Sequence, residues 1–139
     1  MNALWNDRKI TAFVREVLGC KCPDEVFEKI EVSRVENRDL SLTITRIDIG
    51  STLLVYVVFP MSNEQLLQAL AELVFVGRSD RDQHDLNRFR LVIADHSDSS
   101  DLDLTKRRFY EVAGEDNKLH IHFVRATDID GLTSCFPAR

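Results

Sequence analysis

Leu53-Leu54-Val55-Tyr56-Val57-Val58-Phe59 is the stretch that decides the fold, because every position in it is apolar. A strand covered on one face alternates apolar with polar side chains, whereas a strand covered on both faces is apolar throughout. The run is also much shorter than the ~18 to 20 residues that cross a bilayer. We therefore predict that residues 53–59 form the central strand of a sheet.

The residues before this strand are predicted to form two helices and further strands. Apolar side chains at helical spacing predict a helix over residues 6–18, with Gly19 as its C-cap, and a short helix over residues 23–30. Residues 31–59 are predicted to be strands, with a hairpin turn at residues 50–51.

One irregularity is expected within these strands. The apolar alternation that includes Leu42 and Ile44 changes phase near Arg46 and Ile47. An extra residue in one strand of a pair produces such a change, so a β-bulge or bend is predicted there.

The residues after the central strand are predicted to alternate helices with strands. Ser62 and Gln65 have the spacing of a capping box, so a third helix should begin there. After Gly77, residues 78–87 are too charged to be expected in the core. The remaining elements are predicted as a strand, a helix and a strand, at residues 89–94, 102–113 and 118–125.

This order predicts the fold class. The βαβαβ arrangement of the second half favours parallel strands, because crossover connections are right-handed. The hairpin of the first half adds antiparallel strands at one edge. We predict an α/β protein, with α+β as the alternative: a single-domain mixed sheet over residues 1–139 with an N-terminal helix pair, in which residues 126–139 form an irregular tail.

Composition and charge bound the class of protein. Of 139 residues, 44% are hydrophobic and 29% charged, which is ordinary for one globular domain. The net charge of −5 makes nonspecific nucleic-acid binding unexpected, because neutralising phosphates needs a basic face. The first residues lack the basic and apolar regions of a secretory signal, so we predict a cytoplasmic protein with reduced thiols and no membrane partner.

The segment Gly19-Cys20-Lys21-Cys22-Pro23-Asp24-Glu25 carries two cysteines at a predicted helix start. Proline suits the first helical position, which places Cys22 at or near the N-cap, where the helix and Lys21 favour its thiolate. Thiolates bind soft metals and attack other sulfurs, so zinc, an iron–sulfur species or thiol redox handling is expected. The spacing differs from that of common zinc sites and of Cys-x-x-Cys motifs, and packed cysteines are the alternative.

His120 and His122 are the next candidates, as two residues on one face of the last predicted strand. They can complete a Cys₂His₂ site with Cys20 and Cys22, and Cys135 is a further candidate ligand. The alternative is that the histidines occupy the solvent face of an edge strand.

A third candidate site lies where the parallel strands end. Open sheets bind ligands at the carboxyl ends of their strands. Asp95 and His96 are candidates there for a general acid/base pair, and Arg125 for an anion clamp. Ordinary turn chemistry explains Asp95 and His96 as well, and no Gly-rich phosphate loop is present. Whether the protein is an enzyme stays open, and the sequence leans against it.

Residues 13–27, which include Gly19-Cys20-Lys21-Cys22-Pro23, resemble the opening of an uncharacterised family of small bacterial proteins with an N-terminal Gly-Cys-x-Cys-Pro signature. Residues 87–92, Asn-Arg-Phe-Arg-Leu-Val, are similar to it as well. The resemblance implies bacterial origin and a single α/β domain, and it assigns no activity to any residue.

These observations leave two classes of function. The first is binding of a soft metal or handling of thiols at Cys20 and Cys22. The alternative is a non-catalytic module for protein interaction or homo-oligomerisation, in which the cysteines are packed and the hairpin edge is the assembly surface.

Overall fold

The chain forms one five-stranded mixed sheet with helices on both of its faces. The computed structural model describes residues 7–16, 18–19, 23–37, 42–60, 62–94 and 102–125. In chain order the elements are α1 (Asp7–Glu16), a 3₁₀ helix (Asp24–Glu28), β1 (Ile30–Asn37), β2 (Leu42–Ile49), β3 (Leu53–Val58), α2 (Asn63–Gln83), β4 (Arg88–Ala94), α3 (Leu102–Ala113) and β5 (Leu119–Val124).

The strand order confirms the predicted topology. The strands lie in the order β1-β2-β3-β4-β5, so β3 is central. β1 pairs with β2, and β2 with β3, in the antiparallel sense. β3 pairs with β4, and β4 with β5, in the parallel sense, as expected for two successive crossovers. The fold is therefore an α/β single domain.

β3 is buried on both faces, which explains its continuous apolar sequence. Its residues Leu54, Tyr56 and Val58 contribute to a core shared with α2 and α3. The alternate residues, among them Val55 and Val57, contribute to a second core shared with α1 and the 3₁₀ helix. The sequence did not decide between one covered face and two, and the structure shows two.

The predicted bulge in β2 is wrong. The register between β1 and β2, and between β2 and β3, advances residue by residue without an insertion. Leu42 and Ile44 face the core with α2 and α3, whereas Ile47 and Ile49 face the core with α1. The change of apolar phase therefore records a change in which face of the strand is buried, in a strand that remains regular.

Two predicted helices need correction, the short one over residues 23–30 and the one that begins after Ser62. The short helix expected over residues 23–30 is a 3₁₀ helix, and Ile30 already belongs to β1. α2 begins as predicted, with the Ser62 hydroxyl accepting a hydrogen bond from the Gln65 N–H at 3.1 Å. It then continues to Gln83, into the stretch expected to be surface, because several of its charged side chains are paired against neighbouring elements. None of the described helices is apolar enough over a sufficient length to cross a membrane.

Gly77 lets α2 pack closely on the sheet. A Cβ built at this position would overlap the Phe89 ring of β4. Phe89 is fully buried and in edge-to-face contact with Tyr56, with ring centroids 5.0 Å apart, so it has little freedom to move aside. The glycine is thus required by packing, although it weakens a helix interior.

We predict that Gly77→Ala lowers the free energy of unfolding by about 1–3 kcal/mol, the usual cost of overpacking. Intrinsic helix propensity alone would raise it by about 1 kcal/mol. Urea denaturation measures the difference, with Ala71→Gly, at an exposed position of the same helix, as the control for propensity. A Gly77→Ala protein more stable than the wild type would contradict this account of the α2–β4 contact.

Candidate functional site

The predicted thiol pair, Cys20 and Cys22, lies outside the described residues, and so does Cys135. The residues on either side of the pair are described. Leu18 and Phe27 are both buried in the core beneath α1. The Arg15 guanidinium of α1 forms an ion pair with Asp24 of the 3₁₀ helix and lies 4.7 Å from the centre of the Phe27 ring. Both ends of the cysteine segment are therefore anchored on the same face of the sheet.

The helix behind the cysteines differs from the prediction. Its N-cap is Pro23, and the helix is a 3₁₀ helix of 5 residues. A helix this short aligns few peptide dipoles, so it favours a neighbouring thiolate less than the α-helix that was expected.

His120 and His122 lie on one face of β5, as predicted, and β5 is an edge strand. Both side chains are half-buried, in contrast to the solvent face considered as the alternative. Their strand neighbours Leu119 and Ile121 face α2 and α3, so the histidines point to the side covered by α1.

Arg90 of β4 is the partner of His122. Its Nη1 lies 3.0 Å from His122 Nε2, and because a guanidinium only donates, the imidazole nitrogen accepts. Burial and the Arg90 charge lower the pKa of His122 to about 4. The same two causes lower the pKa of His120. Both imidazoles are therefore neutral at neutral pH.

The described residues give the histidines no metal site of their own. Within the described part of the chain, no group of three or more His, Cys, Asp or Glu side chains is placed to hold a metal ion. A metal on His122 Nε2 would displace the Arg90 hydrogen bond and lie beside a cation. A metal-ligand role for His120 and His122 together with the cysteines stays a prediction.

The carboxyl ends of β3, β4 and β5 meet at one edge, as predicted, since the pairs Val58↔Ile93 and Ala94↔Val124 align them. Arg125 follows β5 and is exposed. Asp95 and His96 lie outside the described residues, so their role as an acid/base pair beside Arg125 stays a prediction.

The structure adds a cluster of ionisable groups around Asp80 of α2, within the stretch expected to be surface. Its carboxylate accepts hydrogen bonds from Arg46 at 2.7 and 2.9 Å and from the Tyr56 hydroxyl at 2.6 Å. His84 Nδ1 lies 2.9 Å from the same carboxylate. Arg46 from β2 and Tyr56 from β3 thus connect the sheet to α2.

The protonation states of this cluster favour a structural role. Burial raises the pKa of Asp80, but the hydrogen bonds from Arg46 and Tyr56 outweigh it and hold the pKa below its usual value. Burial and the hydrogen bond to Asp80 raise the pKa of Tyr56. Asp80 is therefore ionised and Tyr56 protonated at neutral pH, with each already bonded inside the protein.

A second ion pair joins α2 to the turn before β5. Arg81 donates to Asp116 at 3.1 and 2.8 Å, and this contact, against a smaller opposing effect of burial, lowers the pKa of Asp116. Arg78 donates to the Ala113 carbonyl at 2.9 Å and so satisfies the C-terminal end of α3. In the sequence, the sign of these ion pairs was the run of charged residues in α2. Their partners could not be identified because they lie far away along the chain.

Comparison with known proteins finds no matching family model, no matching curated sequence and no matching solved structure. The resemblance of residues 13–27 to a small bacterial family stays a prediction.

We predict that Asp80→Asn lowers the free energy of unfolding by about 2 kcal/mol at pH 7, the order of a hydrogen bond to a charged group. Because the folded pKa of Asp80 is lowered, its contribution is present above about pH 4, the usual value, and is lost as the pH falls through the folded pKa. Urea denaturation between pH 2 and 7 should show a smaller acid loss in the variant. Asp82→Asn, which removes an exposed partner of Arg81, is the control and should change stability by less than ~1 kcal/mol. Equal losses for both variants would contradict the role of the cluster.

Proposed function

We propose that the protein binds a soft metal ion, as zinc or an iron–sulfur species, or handles thiols through Cys20 and Cys22, in the bacterial cytoplasm. The observation that supports this most is the anchoring of the segment that carries them. The Arg15–Asp24 ion pair joins described residues on either side of the segment, and the flanking side chains of Leu18 and Phe27 are buried.

The chemistry of the proposal is that of two thiolates held close in sequence. As metal ligands they supply two soft donors, and other groups complete the coordination. In thiol exchange the Cys22 thiolate attacks a substrate disulfide and releases one substrate thiol. Cys20 then attacks the mixed disulfide, which releases the second substrate thiol and leaves a Cys20–Cys22 disulfide. Cys135 is a candidate third ligand, whereas the hydrogen bond from Arg90 makes His122 a poorer one.

The second candidate is an interaction or oligomerisation module with packed cysteines. The edge of the hairpin supports it. Among the described strands, β1 pairs with β2 alone, over 8 residues, so its other side presents backbone N–H and C=O groups that can pair with another strand. A second copy of the chain or a partner protein is the expected occupant.

Metal content and thiol reactivity distinguish the two candidates. For protein purified without an affinity tag, we predict near-stoichiometric zinc or iron, or one thiol that reacts rapidly with an alkylating reagent at neutral pH. Cys20→Ser and Cys22→Ser should each lower the metal content at least about tenfold, since loss of a ligand removes most of the affinity.

For thiol reactivity the matched control is Cys135→Ser, which removes a thiol far away in the sequence. It should leave the rapid thiol unchanged. Metal content is compared between the wild type and the Cys20 and Cys22 variants alone, because Cys135 is itself a candidate ligand. Lack of metal combined with thiols that react only after denaturation would contradict the first candidate. A concentration-dependent increase in mass by analytical ultracentrifugation would then favour the second.

A further inference from the structure

Arg90 is a buried cation in a strand that is otherwise apolar. Only 8% of its surface is exposed, and the next residues of β4 are buried on both faces of the sheet. Its Nη1 bonds to His122, while its Nε is enclosed and has no hydrogen-bond partner among the described residues. A buried charge is costly unless it is paired, and within the described part of the chain this guanidinium lacks a counter-charge.

The surroundings of Arg90 are cationic. The charged groups that act on Arg90, His120 and His122 are Arg88, Arg90, His120 and Lys106. Among the groups that act on Arg90, Tyr110 favours the charged form of the guanidinium. The centroid of the Tyr110 ring lies 6.4 Å from that of the His120 ring. No carboxylate of the described residues forms an ion pair with Arg88 or Arg90.

The donors of this group converge on one face. In the register of β4 and β5, Arg90 lies opposite His120, and Val92 lies opposite His122. Because side chains alternate between faces, Arg88, Arg90, His120 and His122 all lie on the side of the sheet that α1 covers. Two neighbouring strands therefore present two guanidinium groups and two imidazoles side by side.

We propose that Arg88, Arg90, His120 and His122 form a binding site for an oxyanion, a carboxylate or a phosphate group, held chiefly by the fork of Arg90. This inference goes beyond the proposed function and does not rest on it. The guanidinium fork matches the geometry of two oxygens on one ligand.

The hydrogen bond between Arg90 and His122 places an imidazole beside the guanidinium fork. An anion held by Arg90 therefore lies next to the His122 ring, whose NMR signals report its binding.

NMR of the full chain labelled at its histidine rings tests this proposal. Sodium phosphate and sodium acetate are added in separate titrations, with sodium chloride keeping the ionic strength constant. We expect at least one of them to shift the His122 signals saturably at constant pH. A response to phosphate alone identifies a phosphate site, and a response to acetate identifies a carboxylate site. His84, exposed and on the other side of the sheet, is the internal reference.

Two variants distinguish a specific binding site from nonspecific attraction of anions to positive charge. Arg90→Gln should weaken binding about 10- to 100-fold, as expected for loss of charge-assisted hydrogen bonds. Arg107→Gln, which removes an exposed charge on α3, should not. Circular dichroism checks the fold. If Arg90→Gln does not fold, Arg90→Lys keeps the charge without the fork and should weaken binding at least about threefold.

Two results would overturn the proposal. One is the lack of a saturable shift with either anion. The other is equal binding by the wild type and the Arg90 variant.

Discussion

Burial of the sheet on both faces is the constraint on which the rest of the structure depends. Every residue of β3 is buried, and so is every residue of β4 except Arg88. α1 and the 3₁₀ helix cover one side, and α2 and α3 cover the other. Any ionisable group between these layers must find its counter-charge inside the protein or bind one, because burial removes most of its hydration.

The protein meets this requirement in two ways. On the side of α2, Asp80 pairs with Arg46 and accepts a hydrogen bond from Tyr56, and Arg81 pairs with Asp116, so these charges stabilise the contacts between layers. On the side of α1, Arg90 has His122 as its partner, which supplies a hydrogen bond but no negative charge. Both sides contain buried arginine. We interpret the Asp80 cluster as structural because its arginines pair with carboxylates, and Arg90 as part of a candidate site because its partner is a neutral imidazole.

The sequence predicted the parts of the fold that depend on local pattern. The apolar residues 53–59, the hairpin turn and the alternating second half led to the correct central strand and the correct pairing directions. It did not predict the length of α2, because Arg81 and Asp80 resemble surface residues until Asp116 and Arg46, 35 and 34 positions away, are placed beside them. His120 and His122 were predicted as a pair, but the contact between Arg90 and His122 was not, for the same reason: the two residues lie 32 positions apart.

The stability of Arg90→Met in a buffer that contains chloride as its main anion tests most directly whether Arg90 is a buried cation without a counter-charge in the protein. Methionine fills a similar volume without charge. If the account is correct, the free energy of unfolding of the variant equals or exceeds that of the wild type, because an uncompensated charge has been removed. A loss of about 3 kcal/mol or more, the usual cost of breaking a buried ion pair, would contradict it and place the counter-charge within the chain.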